Sequence, residues 1–205
     1  MAQIQFFIFG ISMVTSFSIN AAGVPTLNEI TVRPNSKKLI GFANSANEGT
    51  VLKQQLDART VYRPGELLET VPGLIVTQHS GEGKANQYFL RGFNLDHGTD
   101  FRISVDGMLV NQRSHGHGQG WADTNFIIPE LMGNLQYLKG PYYANQGDFS
   151  SAGAVSMSYV DKLPTDIASY GLGQQGFMRG LVAKSHEVGK GNVLYAVELL
   201  TKDGP

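Results

Sequence analysis

The chain has 205 residues, 25 glycines, no cysteine, 16% charged residues and a net charge of −1. No dense Lys/Arg patch is present to neutralise a run of phosphates, which excludes a nucleic-acid partner, and the lack of thiols excludes disulfides, thiolate metal sites and cysteine nucleophiles. High glycine with 10% aromatics suits an all-β or loop-rich α+β protein better than a helical bundle.

In chain order, residues 4–19 form an uncharged apolar run, followed by small residues at Ala21, Ala22 and Gly23. This predicts a secretory signal peptide over residues 1–22, cut after Ala22. Leu27–Val32 alternates apolar with polar residues and stops before Pro34, as a short strand does. Residues 33–49 are polar and small apart from Leu39, Ile40 and Phe42, which predicts a mobile linker.

Thr50–Leu52 reads as a strand and Lys53–Arg59 as a helical turn. Pro64 opens a better helix, with Glu66 in its first turn and Leu67, Leu68 and Val71 on one face; Pro72-Gly73 ends it. Short strands follow at Leu74–Thr77, Tyr88–Arg91 and Phe101–Val105. Asp106-Gly107 then joins Ile103–Val105 to Met108–Val110 in a predicted hairpin. A helical turn is expected at Pro129–Met132, and strands at Asn134–Lys139 and Ala154–Tyr159. The tail predicts two longer strands, Tyr170–Lys184 and Val193–Thr201, each long enough to cross an outer membrane as a tilted strand.

Four motifs occur in order: Leu90-Arg91-Gly92-Phe93, Val105-Asp106-Gly107, Ile128-Pro129-Glu130-Leu131 and Leu138-Lys139-Gly140-Pro141. Together they resemble the plug domain of TonB-dependent outer-membrane receptors, over roughly residues 27–160. The resemblance implies an α+β fold: a small mixed-sheet plug with short helices over residues 49–162, then a β-hairpin from an incomplete transmembrane barrel over 163–205. It implies TonB-dependent uptake of a scarce nutrient, with no cofactor required and no catalysis. The expected partners are the periplasmic TonB protein, the outer membrane and a small-molecule or metal-chelate substrate. In such a family Glu29, Ile30, Thr31 and Val32 would be the TonB box, within a segment 23–48, pairing with TonB as an added strand. Arg91 and Glu130 would make ionic contacts between plug and barrel wall. Two strands cannot close a barrel, so the chain is expected to be a fragment or a truncated product of such a receptor.

Four of the five histidines lie between positions 79 and 117. His79, His97, His115 and His117 fall on three polar loops expected to converge on one face, with Trp121 nearby. They are candidates for ligand binding, and His97, His115 and His117 for holding a transition-metal ion as transported ligand, since His-x-His in an extended segment puts both imidazoles on one side. Asp96, Asp100 and Asp123 could support them. Ordinary polar loop residues remain the alternative. Two further readings are a stand-alone periplasmic metal- or ligand-binding module and a metal-dependent hydrolase using His115, His117 and an Asp. The hydrolase lacks a compact α/β pattern and further ligands on strand ends.

Overall fold

The computed structural model describes residues 41–78 and 83–203. The predicted signal peptide, the Glu29–Val32 box and His79 lie outside the described residues.

The described chain is mostly β. A six-stranded sheet carries β1 (Gly41–Ser45), β2 (Glu48–Leu52), β6 (Phe101–Val105), β7 (Met108–Leu109), β8 (Met132–Lys139) and β9 (Gly153–Tyr159), in the spatial order β1-β2-β8-β9-β6-β7. All its pairings are antiparallel except β6 with β9. A second sheet holds β3 (Leu74–Thr77), β4 (Gln87–Leu90) and the short β5 (Phe93–Asn94). The sole α-helix among the described residues, α1, spans Lys53–Asp57.

Alternation along the strands builds the core. Phe101, Ile103 and Val105 of β6, and Val155 and Met157 of β9, point inward and are buried, while Ser104 and Ser156 face the other side and meet through their hydroxyls at 2.9 Å. Leu67 and Leu68 of Pro64–Thr70, with Val71 just after it, close the core. The helix expected from Pro64 is present, as a 3-10 helix. The Glu66 carboxylate accepts from the amides of Tyr62 and Arg63, and Thr70 Oγ1 donates back to Leu67 O at 2.7 Å. In seven residues of which Gly65, Leu67, Leu68 and Thr70 are buried, burial on three-residue spacing favours the tighter turn.

Two expectations are corrected. Residues 41–45, placed in the linker, form β1, which pairs with β2 from Gly41↔Val51 to Ser45↔Glu48. Its side chains are largely exposed, so backbone pairing holds it and no apolar pattern announces it. The tail has three strands, not two: β10 (Ile167–Leu172), β11 (Met178–Val188) and β12 (Gly191–Thr201). Gln175 and Gly176 both take positive φ, 56° and 65°, and Gly173 N donates to Phe177 O at 2.9 Å, so the expected 170–184 strand breaks into two arms of a hairpin.

These three strands make their own sheet. It rests on the plug through Leu131, Leu163 and Ala183, with Ile167, Leu194 and Ala196 packed around them. Its outer face exposes Val182, Val193, Tyr195, Val197 and Leu199. No helix among the described residues is long and apolar enough to cross a membrane, which says nothing of strands.

Candidate functional site

The loops after β5 and β7 gather around one indole. Trp121 is 7% exposed, and three imidazole rings lie on it. His115 stacks parallel at 4.3 Å between centroids and 16° between planes. His97 sits tilted at 4.7 Å and His117 edge-on at 4.9 Å. His97 and His117 also meet each other edge to face at 4.8 Å.

Local hydrogen bonding explains this convergence. Gln112 and Trp121 form a β-bridge, with Gln112 N donating to Trp121 O and Gly120 N donating to Gln112 O, both at 2.8 Å. The segment 113–119 is therefore a closed loop. Ala122 N donates to His97 O at 2.8 Å, which ties that loop to the one after β5. Asn111, buried, joins all the pieces. Its Oδ1 accepts from Ile103 N at 2.7 Å, and its Nδ2 donates to the carbonyls of Gly98, Phe101 and Gly120 at 2.8, 2.9 and 3.1 Å. Tyr88 supports the floor by donating its hydroxyl to Ala122 O at 2.8 Å. Burial holds the Tyr88 phenol well above its usual range, so it remains a donor at any ordinary pH.

His97 is buried, with Nδ1 2.9 Å from Ala85 O and 3.2 Å from Asn86 O. Carbonyls only accept, so Nδ1 carries the proton and fixes the tautomer. Asp96 Oδ1 lies 3.6 Å from His97 Nε2. His115 and His117 are exposed, and His115 Nδ1 accepts from the His117 amide at 3.2 Å. Among the described residues, no group of three or more His, Asp or Glu side chains is arranged to hold a metal ion. His97, His115 and His117 are thus neighbours in an aromatic cluster rather than a set of nitrogens aimed at one point.

The charged candidates part company. Arg91 donates to Asn47 Oδ1, within the plug. Glu130 reaches the terminal sheet: its two oxygens take Arg179 Nη1 and Nη2 at 2.6 and 2.9 Å, and Arg179 Nε is bonded to Glu198. Lys53 Nζ donates to Glu130 O at 2.9 Å. Burial acts to raise the Glu130 carboxyl, but the Arg179 hydrogen bonds, a backbone amide and the charges of Arg179 and Lys53 outweigh it and hold the carboxyl below its usual range. A lowered folded-state value means that this pair adds stability above the unfolded carboxylate range and loses it as pH falls through the folded value. Glu130→Gln is expected to cost about 1 kcal/mol at pH 7, discounted because the pair is partly exposed. The difference should shrink as pH falls below the ordinary carboxylate range, about 4.3, and vanish once the folded carboxyl is itself protonated. Paired urea titrations of the two proteins at each pH measure it, since other carboxylates titrate alike in both.

Sequence reasoning did not single out Asn111, Tyr88 or Arg179. Asn111 carried a usable signal, a polar residue directly continuing the apolar run Met108–Val110. Arg179 carried none beyond being a charge in an apolar stretch.

A mixed sheet with short helical turns, polar loops gathered at its edge and a separate antiparallel sheet ion-paired to it define a plug seated against further strands. The family model of the TonB-dependent receptor plug domain matches residues 43–154, more than half of the chain, and the chain belongs to that family. Solved structures agree in fold. The copper transporter OprC gives a TM-score of 0.58 at 20% identity, over 80% of this chain and 25% of that one. A mutant of the ferric enterobactin receptor PfeA from Pseudomonas aeruginosa, bound to enterobactin, gives 0.58 at 16% identity, over 79% and 26%. The siderophore receptor PirA from Pseudomonas aeruginosa gives 0.51 at 16% identity, over 78% and 30%. The chain therefore spans no more than about a third of the length of these receptors, and identities this low speak for the fold alone.

Proposed function

We propose that this chain is the N-terminal part of an outer-membrane receptor that imports a scarce nutrient with energy delivered by TonB. The match of residues 43–154 to the plug family carries the reading. The terminal sheet supports it. β11 and β12 have 11 residues each, roughly 36 Å when extended, and turn an apolar face outward, as strands of a membrane barrel do. On this reading residues 1–22 direct export, β10–β12 begin the barrel, and Glu130–Arg179 joins plug to wall. The face built from His97, His115, His117 and Trp121 touches the substrate. The similarity to a copper transporter and to siderophore receptors favours a metal ion or a small metal chelate as that substrate.

The box at Glu29–Val32 provides the test. Added-strand pairing needs the backbone N–H of Ile30, and proline removes it. In the complete receptor, Ile30→Pro is expected to abolish energised uptake of radiolabelled substrate while leaving surface binding intact. Uptake at the parent rate would sink the TonB-coupled reading.

A further inference from the structure

The inference rests on the reading of the Trp121 face as the substrate contact and narrows what that substrate is. A buried indole carrying an exposed, parallel imidazole is a stacking site already filled by the protein's own ring. His115 lies on Trp121 at 4.3 Å and 16°. Its Nδ1 bond is to the amide of His117, two residues along on the same loop. Gly116 and Gly118 have open space where a Cβ would point, so nothing crowds the backbone that carries the ring. His97 differs. It is buried, its Nδ1 is bound to Ala85 O, and it forms a fixed wall beside the indole.

The geometry also discriminates between ligand chemistries. Direct ligation needs nitrogen lone pairs converging on one point. Here the rings meet face to face and edge to face, which is π contact, and no ligand set of three is assembled among the described residues.

We propose that Trp121 receives a planar aromatic ring of the substrate, and that His115 holds this place until the ring displaces it. Any metal then travels bound to the substrate rather than to His97, His115 or His117. His97 and the edge of His117 frame the entering ring, and the displaced His115 swings into solvent on its glycine-flanked loop. His115 is thus an internal competitor, and removing it should strengthen binding. Direct ligation makes the opposite prediction, because loss of an imidazole there removes a ligand.

Trp121 is the only tryptophan in the chain, so its indole N–H gives one signal in the 15N-labelled full chain. The probes are 8-hydroxyquinoline and its diamagnetic gallium(III) complex, with Ni(II) alone as the competing arm. Stacking is expected to move the indole signal upfield saturably, and His115→Ala to tighten binding roughly two- to tenfold, the scale of one aromatic contact. Trp121→Phe should keep binding, followed by equilibrium dialysis, and Trp121→Leu should weaken it by a similar factor. Failure of both aromatic probes to shift the indole of the folded parent chain would overturn the proposal. So would Ni(II) broadening of the indole signal that disappears in His115→Ala, which would establish direct ligation. Either outcome leaves the Ile30→Pro uptake result standing by itself, so failure of stacking and failure of the transport reading are separable.

Discussion

Asn111→Asp is expected to collapse the loop face altogether. The wild-type amide donates to three buried carbonyls and accepts from one buried amide. A carboxylate keeps the acceptor but turns an oxygen toward the carbonyls of Gly98, Phe101 and Gly120. Each strand of this arrangement left unsatisfied in a buried site costs about 1–3 kcal/mol, so Asn111→Ala should lose roughly 3–5 kcal/mol in total and Asn111→Asp at least as much. The check has two parts. Denaturant unfolding gives the stability loss, and Trp121 fluorescence should move to the red as the indole becomes wet. An unshifted emission with only a small loss of stability would mean that Gln112–Trp121 pairing alone holds the loop.

Gly98→Ala should be the second most damaging change. Gly98 has φ of 116°, a region closed to residues with a side chain. A Cβ there would stand 2.7 Å from the Ala122 Cβ and 2.8 Å from Gly120 O, both part of the Trp121 loop. Neither neighbour is the tip of a flexible chain, so the two loops must move apart. Strain and crowding together are expected to cost roughly 2–4 kcal/mol. The measurement is a thermal unfolding comparison with Gly116→Ala, which meets open space and should be nearly neutral. Equal midpoints for the two variants would contradict the close approach of the loops.

Where the chain alternates apolar and polar residues, its sequence was readable. Strands β6 and β9 fall close to the expected positions because their inward side chains, such as Ile103 and Met157, are buried in a core that demands period two, and β3 does so as a short apolar run bounded by the Pro72-Gly73 turn. The Asp106-Gly107 turn was readable because Asp106 and Gly107 take φ of 47° and 80°, which few residue types tolerate. β1 escaped because an exposed edge strand is held by its backbone, and the backbone is the same in every sequence. The break in the tail at Gln175-Gly176 escaped because the flanking apolar spacing suits one long strand as well as two.

The candidate face divides in the same way. His97, His115, His117 and Trp121 were identifiable as residue types on polar loops, and Glu130 as a charge beside apolar neighbours. What they do to one another was not. Glu130 finds Arg179, 49 positions away, and Asn111 joins four backbone groups from three segments. Local sequence sets φ preferences, turn types and which side of a strand is apolar, because those forces act over a few residues. The parallel pairing of β6 with β9, the bidentate grip on Glu130 and the stacking of His115 on Trp121 arise from contacts between distant segments. Only the folded core, by fixing those segments against one another, decided that the imidazoles of His97, His115 and His117 would meet an indole face.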